Sequence, residues 1–91
     1  MSSSQKNLSD FTGNTDIPNA KSMRFGIVVS EWNSGITNAL CVGAYKTLLK
    51  YGAKKKNITL LSVPGSFELT LGAQHLAGKK NIDAVICLGC V

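Results

Sequence analysis

Apolar and polar residues follow a regular block pattern from Arg24 to the end of the sequence. Three short apolar runs, rich in β-branched residues, predict buried strands at 25–29, 58–63 and 84–88. Between them, apolar residues recur at helical spacing and predict two amphipathic helices. The apolar positions are Ile36, Leu40, Ala44, Leu48 and Tyr51 in the first helix, and Leu69, Ala73, Leu76 and Ala77 in the second. The predicted order is therefore β-α-β-α-β.

Capping residues mark the ends of the two predicted helices. Asn33 or Ser34 is suited to cap the first helix, and Ser66 is suited to cap the second. Gly52 is expected to end the first helix in a left-handed conformation, and Gly78 follows the second. The connections between strands are long enough for helical crossovers and too long for hairpins, which predicts an open parallel α/β sheet.

The chain divides by composition into an arm over 1–22 and one α/β domain over 23–91. The arm is polar and does not fold alone, although Leu8, Phe11 and Ile17 could dock on a neighbouring subunit. The third strand is apolar on both faces and stops at Val91 without a following helix. Two helices cannot easily cover both faces and the edges of such a sheet. We therefore expect a fragment, or a fold completed by another chain.

Composition excludes several classes of protein. An apolar fraction of 44% with 16% charged residues is not that of a disordered chain. No apolar run approaches the roughly 20 residues of a membrane span, and the first residues lack the apolar core of a secretory signal. We therefore expect a cytoplasmic protein. The net charge of +5 comes mainly from lysines in turns, with Arg24 as the sole arginine, which favours a solvated surface over a nucleic-acid interface.

The thiols and the single histidine carry little evidence of chemistry. Cys41, Cys87 and Cys90 lie in apolar surroundings, so we expect buried thiols in a reducing cytosol. Cys87 and Cys90 form a C-x-x-C pattern, but a zinc site needs two further ligands, and a redox pair belongs at a helix start. His75 falls on the predicted polar face of the second helix, with Glu68, Gly72 and Lys79, and is interpreted as a surface residue.

Chemistry-bearing residues follow each predicted strand, at the edge where parallel α/β sheets bind ligands. Trp32 follows the first strand and offers a flat face for a planar ring, or else anchors the loop. Gly65-Ser66-Phe67-Glu68 opens the second helix, where backbone N–H groups can hold polar oxygens. The helix dipole alone would also favour Glu68, and Phe67 could pack into the core. Cys90 lies at the edge of the predicted site.

Three segments together resemble the lumazine synthase family over Arg24–Val91. RFGIVVSEWNSGIT is similar to the family's first strand and aromatic-Asn-Ser turn, VPGSFELTLGAQHLA to its P-G-[AS]-[FW]-E motif, and DAVICLGCV to its D-A-[VI]-I-x-L-G-x-V strand. The arm LSDFTGNTDIPNAKSM also resembles an extension that some members carry. The resemblance implies a three-layer, flavodoxin-like parallel α/β sheet, with the remainder of the fold missing after Val91.

The resemblance also implies a role for each matched residue. Trp32 would stack on the pyrimidinedione of 5-amino-6-(D-ribitylamino)uracil. Ser66, Phe67 and Glu68 would hold the ribityl chain, with Glu68 accepting from its hydroxyls. The backbone of Cys90 and Val91 would recognise the pyrimidinedione edge. The second family substrate is 3,4-dihydroxy-2-butanone 4-phosphate, and the product of this step in riboflavin biosynthesis is 6,7-dimethyl-8-ribityllumazine.

The family pattern further implies what this chain lacks. The family's phosphate-binding segment and catalytic histidine lie beyond Val91, so no catalytic residue is assigned here, and we expect these 91 residues alone to be inactive. No metal or redox cofactor takes part in the family reaction. Family members are homopentamers, sometimes arranged as a sixty-subunit shell, and they bind neither nucleic acid nor membranes as part of this activity.

Three alternatives remain open at this point. Hydroxyls and a glycine after the first strand suit a flavodoxin-like flavin or phosphate-binding module, the candidates being Ser30, Ser34, Gly35 and Thr37. Trp32 within that turn would crowd such a cradle. A thiol or metal module would use Cys87 and Cys90. A third alternative is a structural fragment that only assembles.

Overall fold

The computed structural model describes residues 17–91 and contains the predicted strands and helices in the predicted order. The strands are β1 (Phe25–Ser30), β2 (Ile58–Val63) and β3 (Ala84–Leu88). The helices are α1 (Ser34–Lys50) and α2 (Glu68–Ala77), with one 3-10 turn over Lys55–Asn57 before β2. Leu8 and Phe11 of the predicted arm lie outside the described residues.

The sheet has three parallel strands in the order β2-β1-β3, so β1 is central. Val28 lies opposite Leu61 on one side and Cys87 on the other. Flavodoxin-like sheets begin with this strand order. The topological switch point of such a sheet, where the strand order reverses, lies between β1 and β3. The predicted fold class, a parallel α/β sheet of flavodoxin-like type, is confirmed.

The two helices pack on opposite faces of the sheet, which gives three layers. Phe25 of β1 lies in a core cluster with Ala53, against which Leu48 of α1 packs. Val28, three positions further along β1, clusters instead with Leu76 of α2 and Val63 of β2. Because side chains alternate between the faces of a strand, these two clusters lie on opposite sides of the sheet.

Two glycines allow α2 to approach β1 closely. A Cβ atom at Gly26 would lie 2.7 Å from Leu76 Cδ1, and one at Gly72 would lie 2.7 Å from Val28 Cγ1. The prediction that Gly72 lies on the polar face of α2 is therefore wrong, and Ala77, predicted to be in the apolar stripe, is exposed. The rest of the predicted apolar stripe is confirmed, since Leu76 is buried and Leu69 and Ala73 pack against its cluster. Periodicity missed Gly72 because a glycine carries no hydrophobic signal, although its small size permits this contact.

The buried face of α1 also differs from the predicted stripe. Thr37 is fully buried, whereas Ile36 and Leu40, both assigned to the core, are largely exposed. Ala44 and Leu48 are half-buried on the side of Thr37. Apolar residues surround much of this helix, so spacing alone does not identify which side meets the sheet.

The helix ends agree only in part with the predicted caps. Asn33 is the N-cap residue of α1, but its side chain makes no capping hydrogen bond, and Phe67 rather than Ser66 holds the N-cap position of α2. Gly52 has a φ of 105°, which confirms the predicted left-handed residue after α1. Gly78 follows the last residue of α2, as predicted.

Burial on both faces is confirmed for β1 only. The strands β2 and β3 are the two outer strands of the sheet and are partly exposed; Leu60 and Cys87 are exposed residues of these strands. The expectation of three buried thiols is therefore wrong: Cys87 is exposed, and Cys41 and Cys90 are half-buried. An apolar strand sequence indicates burial only where further elements cover the strand, and nothing in residues 17–91 covers the outer edge of β3.

The last part of the predicted arm packs against the end of α1. The Ala20 N–H donates to the Tyr51 carbonyl at 2.8 Å, and Ala20 is buried. Ile17 is half-buried beside Tyr51, at a cavity on this chain. Residues 17–22 thus contact the domain of their own chain.

Within residues 17–91, no helix is both long enough and apolar enough to cross a membrane.

The close packing of α2 on β1 predicts opposite effects of one substitution at two helical glycines. Gly72→Ala should lower the free energy of unfolding by about 1–3 kcal/mol, since its Cβ has no room beside Val28. Gly43→Ala, where no atom lies within 4 Å of the new Cβ, should raise it by about 0.5–1 kcal/mol. Urea denaturation followed by circular dichroism measures both. Equal effects at the two positions would contradict the close contact.

Candidate functional site

The carboxyl ends of the three strands surround a cavity of about 610 Å³. It lies beside the switch point between β1 and β3, and its lining comes from the loop after each strand. The lining residues are Trp32, Gly65, Ser66, Phe67, Cys90 and Val91. All the predicted site residues except Glu68 therefore meet at one cavity.

Trp32 stands on a turn that is fixed to both β1 and β2. Its backbone N–H donates to Ser30 Oγ at 3.2 Å. The preceding residue, Glu31, donates its N–H to the Val63 carbonyl at 2.7 Å, and its Oε2 accepts from Ser62 Oγ at 2.8 Å. Trp32 as a whole residue is 62% exposed. Its turn is thus held in place while the ring is free to contact a ligand, which argues against a buried loop anchor.

The turn before α2 presents an aromatic ring and a hydroxyl to the same cavity. Phe67 is 94% exposed, so the alternative that it packs into the core is wrong. The Leu69 N–H donates to the Ser66 carbonyl at 3.2 Å, which closes the turn. The Ser66 hydroxyl does not cap the helix but donates to the Cys90 carbonyl. Glu68 is half-buried behind this turn, where a Cβ at Gly65 would lie 3.1 Å from its Oε1. Its carboxylate therefore borders the turn without lining the cavity.

The end of β3 is connected to both other loops. Ser66 Oγ donates to the Cys90 carbonyl at 3.3 Å, and Asn33 Nδ2 donates to Cys90 Sγ at 3.5 Å. A Cβ at Gly89 would lie 2.7 Å from Leu69 Cδ1, so the chain passes close to α2 just before Cys90. Asn33 was predicted as a possible helix cap within an aromatic-Asn-Ser turn, and its contact with Cys90 was not predicted. The available signal was that asparagine tolerates left-handed backbone conformations.

The remaining chemistry-bearing residues lie elsewhere. His75 is exposed on α2 and does not line the cavity. Within residues 17–91, no three His, Cys, Asp or Glu side chains are grouped so that they could hold a metal ion. The cationic side chains of Arg24, Lys56, Lys79 and Lys80 border a separate, smaller cavity of about 160 Å³. The lining of the larger cavity is thus aromatic and apolar, with one hydroxyl, one thiol and backbone groups.

An open parallel sheet with a helix on each face defines a doubly wound α/β domain, the class of fold whose ligands bind at the switch point beyond the carboxyl ends of the strands. The model of one protein family, 6,7-dimethyl-8-ribityllumazine synthase, matches residues 22–91. The chain belongs to this family.

Curated relatives agree with the family match. The chain is 60% identical, over its whole length, to a 6,7-dimethyl-8-ribityllumazine synthase of Cytophaga hutchinsonii, and it covers 56% of that protein. It is 55% identical, again over its whole length, to the synthase of Phocaeicola vulgatus, of which it covers 54%. Over 69 residues, 76% of this chain, it is 61% identical to the synthase of Bacteroides fragilis and covers 48% of it. The chain thus spans about half the length of the curated relatives it matches.

The exposure of the indole predicts a direct spectroscopic signal. Trp32 is the only tryptophan in the sequence, so its emission should be that of a solvated indole and acrylamide should quench it readily. The difference spectrum against Trp32→Phe isolates this emission. A blue-shifted emission that acrylamide does not reach would contradict the described position of the ring.

Proposed function

We propose that the protein is a 6,7-dimethyl-8-ribityllumazine synthase, a transferase of riboflavin biosynthesis. It would condense 5-amino-6-(D-ribitylamino)uracil with 3,4-dihydroxy-2-butanone 4-phosphate, releasing phosphate and water. In this proposal the 91-residue chain carries the pyrimidine and ribityl half of the site. The observation that carries the proposal is the shared cavity of Trp32, Ser66, Phe67, Cys90 and Val91 in a chain of this family.

The shape and chemistry of the cavity suit the pyrimidine substrate. The exposed indole of Trp32 offers a stacking face for a planar ring, and base–aromatic stacking contributes about 1–3 kcal/mol. Backbone groups of Cys90 and Val91 lie in the same cavity and can pair with the polar edge of a pyrimidinedione. In this proposal the ribityl chain lies along the turn of Ser66 and Phe67, which lines the cavity, and reaches the Glu68 carboxylate that borders this turn.

The proposed reaction depends mainly on how the protein positions its two substrates. An amine attacks a ketone, phosphate leaves and a ring closes, so holding the two reactants in register supplies a large share of the acceleration. The described residues orient the pyrimidine and exclude water from one of its faces. His75 is exposed and does not line the cavity, so we propose no catalytic role for it, and the family pattern assigns phosphate binding and proton transfer to residues beyond Val91. The 91 residues alone should then be inactive.

The flavodoxin-like flavin or phosphate binder is the second candidate, and hydrogen bonds inside the first turn weigh against it. Ser30 is buried and its Oγ accepts from the Trp32 N–H at 3.2 Å. Thr37 is buried as well, and its Oγ1 donates to the Asn33 carbonyl at 3.4 Å. Two of the hydroxyls that such a binder would offer to phosphate are thus engaged within the protein.

We further propose that the protein acts as a homo-oligomer in the cytoplasm, as a pentamer or a sixty-subunit shell. Apolar side chains are exposed on both helices and on β2, and the remainder of the fold or a neighbouring subunit would cover them; they are Ile36, Leu40, Val42, Leu60 and Leu71. The three free thiols suit a reducing compartment. Sedimentation analysis of the full-length protein distinguishes a pentamer, a shell and a monomer, and a monomer would contradict the proposal.

Trp32→Ala in the full-length protein should weaken binding of 6,7-dimethyl-8-ribityllumazine by about 1–3 kcal/mol, because the stacking face is lost. Trp32→Phe keeps an aromatic face and should lose less. Isothermal titration calorimetry measures both, with the exposed His75→Ala as a control expected to bind normally. Unchanged affinity in Trp32→Ala would refute the proposed stacking.

Glu68→Gln should reduce affinity for the ribityl ligand by about 1 kcal/mol, because a hydroxyl bonds a carboxylate more strongly than it bonds the neutral amide oxygen of glutamine. Affinity for a pyrimidinedione without the ribityl chain should not change. The comparison needs only the two ligands and one variant, again by calorimetry. An equal loss for both ligands would show that Glu68 does not serve the ribityl chain.

A further inference from the structure

Asn33 has an unusual backbone conformation immediately after the proposed stacking residue. Its φ is 55° and its ψ is 56°, and among residues 17–91 it is the one non-glycine residue with a positive φ. Asparagine accepts this left-handed conformation more readily than most residues do. The side chain does not cap α1, although the residue stands at the N-cap position. Helix capping therefore does not account for the asparagine.

The main chain of Asn33 is anchored to α1. Its carbonyl accepts from the Ile36 N–H at 2.9 Å, from the Thr37 N–H at 3.1 Å and from Thr37 Oγ1 at 3.4 Å. Thr37 is fully buried against the sheet, so this anchor is part of the core. The backbone of Asn33, and with it the Cα–Cβ bond from which the side chain starts, is thereby fixed relative to α1.

The side chain of Asn33 connects this anchored turn to the end of β3. Nδ2 donates to Cys90 Sγ at 3.5 Å, while Ser66 Oγ donates to the Cys90 carbonyl at 3.3 Å. Cys90 is therefore held from two loops at once. Trp32 and Cys90, which border the same cavity, are connected through Asn33.

We propose that Asn33 is a positioning residue that sets the separation between the Trp32 ring and the Cys90–Val91 strand end. This inference rests on the proposed function for its ligand, since that separation is where a pyrimidine ring would be held. Asn33 combines the two required properties, because it accepts the left-handed turn and also carries an amide donor. Glycine supplies only the first property and alanine supplies neither.

Variants of Asn33 and Cys90 in the full-length protein test the inference. Asn33→Gly keeps the left-handed turn and removes the amide, so it should fold even where Asn33→Ala does not. Cys90→Ala removes the acceptor, and the double variant completes a thermodynamic cycle. The matched control is Ser34→Gly, because Ser34 is exposed and lies next to Asn33 in the sequence. The readouts are time-resolved anisotropy of Trp32 emission, corrected with Trp32→Phe, and calorimetric titration with 6,7-dimethyl-8-ribityllumazine.

We expect Asn33→Gly to increase the local motion of Trp32 and to weaken lumazine binding about three- to tenfold, the factor that one hydrogen bond supplies. Ser34→Gly should match the wild type. The double variant should bind no more weakly than the weaker single variant, because both substitutions remove the same contact. Wild-type anisotropy and affinity in Asn33→Gly, or losses that multiply in the double variant, would overturn the inference.

The two readouts separate this inference from the proposed function. If the wild-type protein does not bind the lumazine, the proposed function fails. The anisotropy of Trp32 in the free protein still decides whether Asn33 positions the ring. If the wild type binds and Asn33→Gly moves neither readout, the proposed function stands and the positioning role is wrong.

Discussion

The site depends on the parallel pairing of β1 with both of its neighbours. Because β2 and β3 run in the same direction as β1, their carboxyl ends lie at one edge of the sheet. Loops that are distant in sequence, around Trp32, Ser66 and Cys90, therefore meet at one cavity. An antiparallel partner on either side of β1 would place one of these loops at the opposite edge.

Close packing of α2 converts this shared edge into a defined site. Gly72 and Gly26 let α2 lie directly against β1, and Gly89 lets the end of β3 pass close to Leu69 at the start of the same helix. The Ser66 hydroxyl thereby comes within hydrogen-bond distance of the Cys90 carbonyl. The residues that pack α2 on the sheet are thus followed directly by residues that line the cavity. A shift of α2 relative to β1 would therefore move Ser66 and Phe67.

Sequence predicted the strands, the helices and the convergence of the three loops, because apolar runs and crossover lengths determine those features locally. It predicted the buried side of α2 through Leu69, Ala73 and Leu76, but not the buried side of α1. Thr37 lies inside while Ile36 is exposed, since the orientation of α1 is decided by its fit on the sheet and not by hydrophobicity alone. The Asn33–Cys90 contact was missed for a similar reason. Its two residues lie far apart in sequence, and periodicity carries no information about such a contact.

A crystal structure of the full-length protein with bound 6,7-dimethyl-8-ribityllumazine would test the central claim most directly. We predict that the ring system stacks on the Trp32 indole, with its polar edge at the backbone of Cys90 and Val91 and its ribityl chain along Ser66–Glu68. A ligand bound at the hydroxyls of the first turn, around Ser34, or at the opposite edge of the sheet near Arg24 would contradict the account.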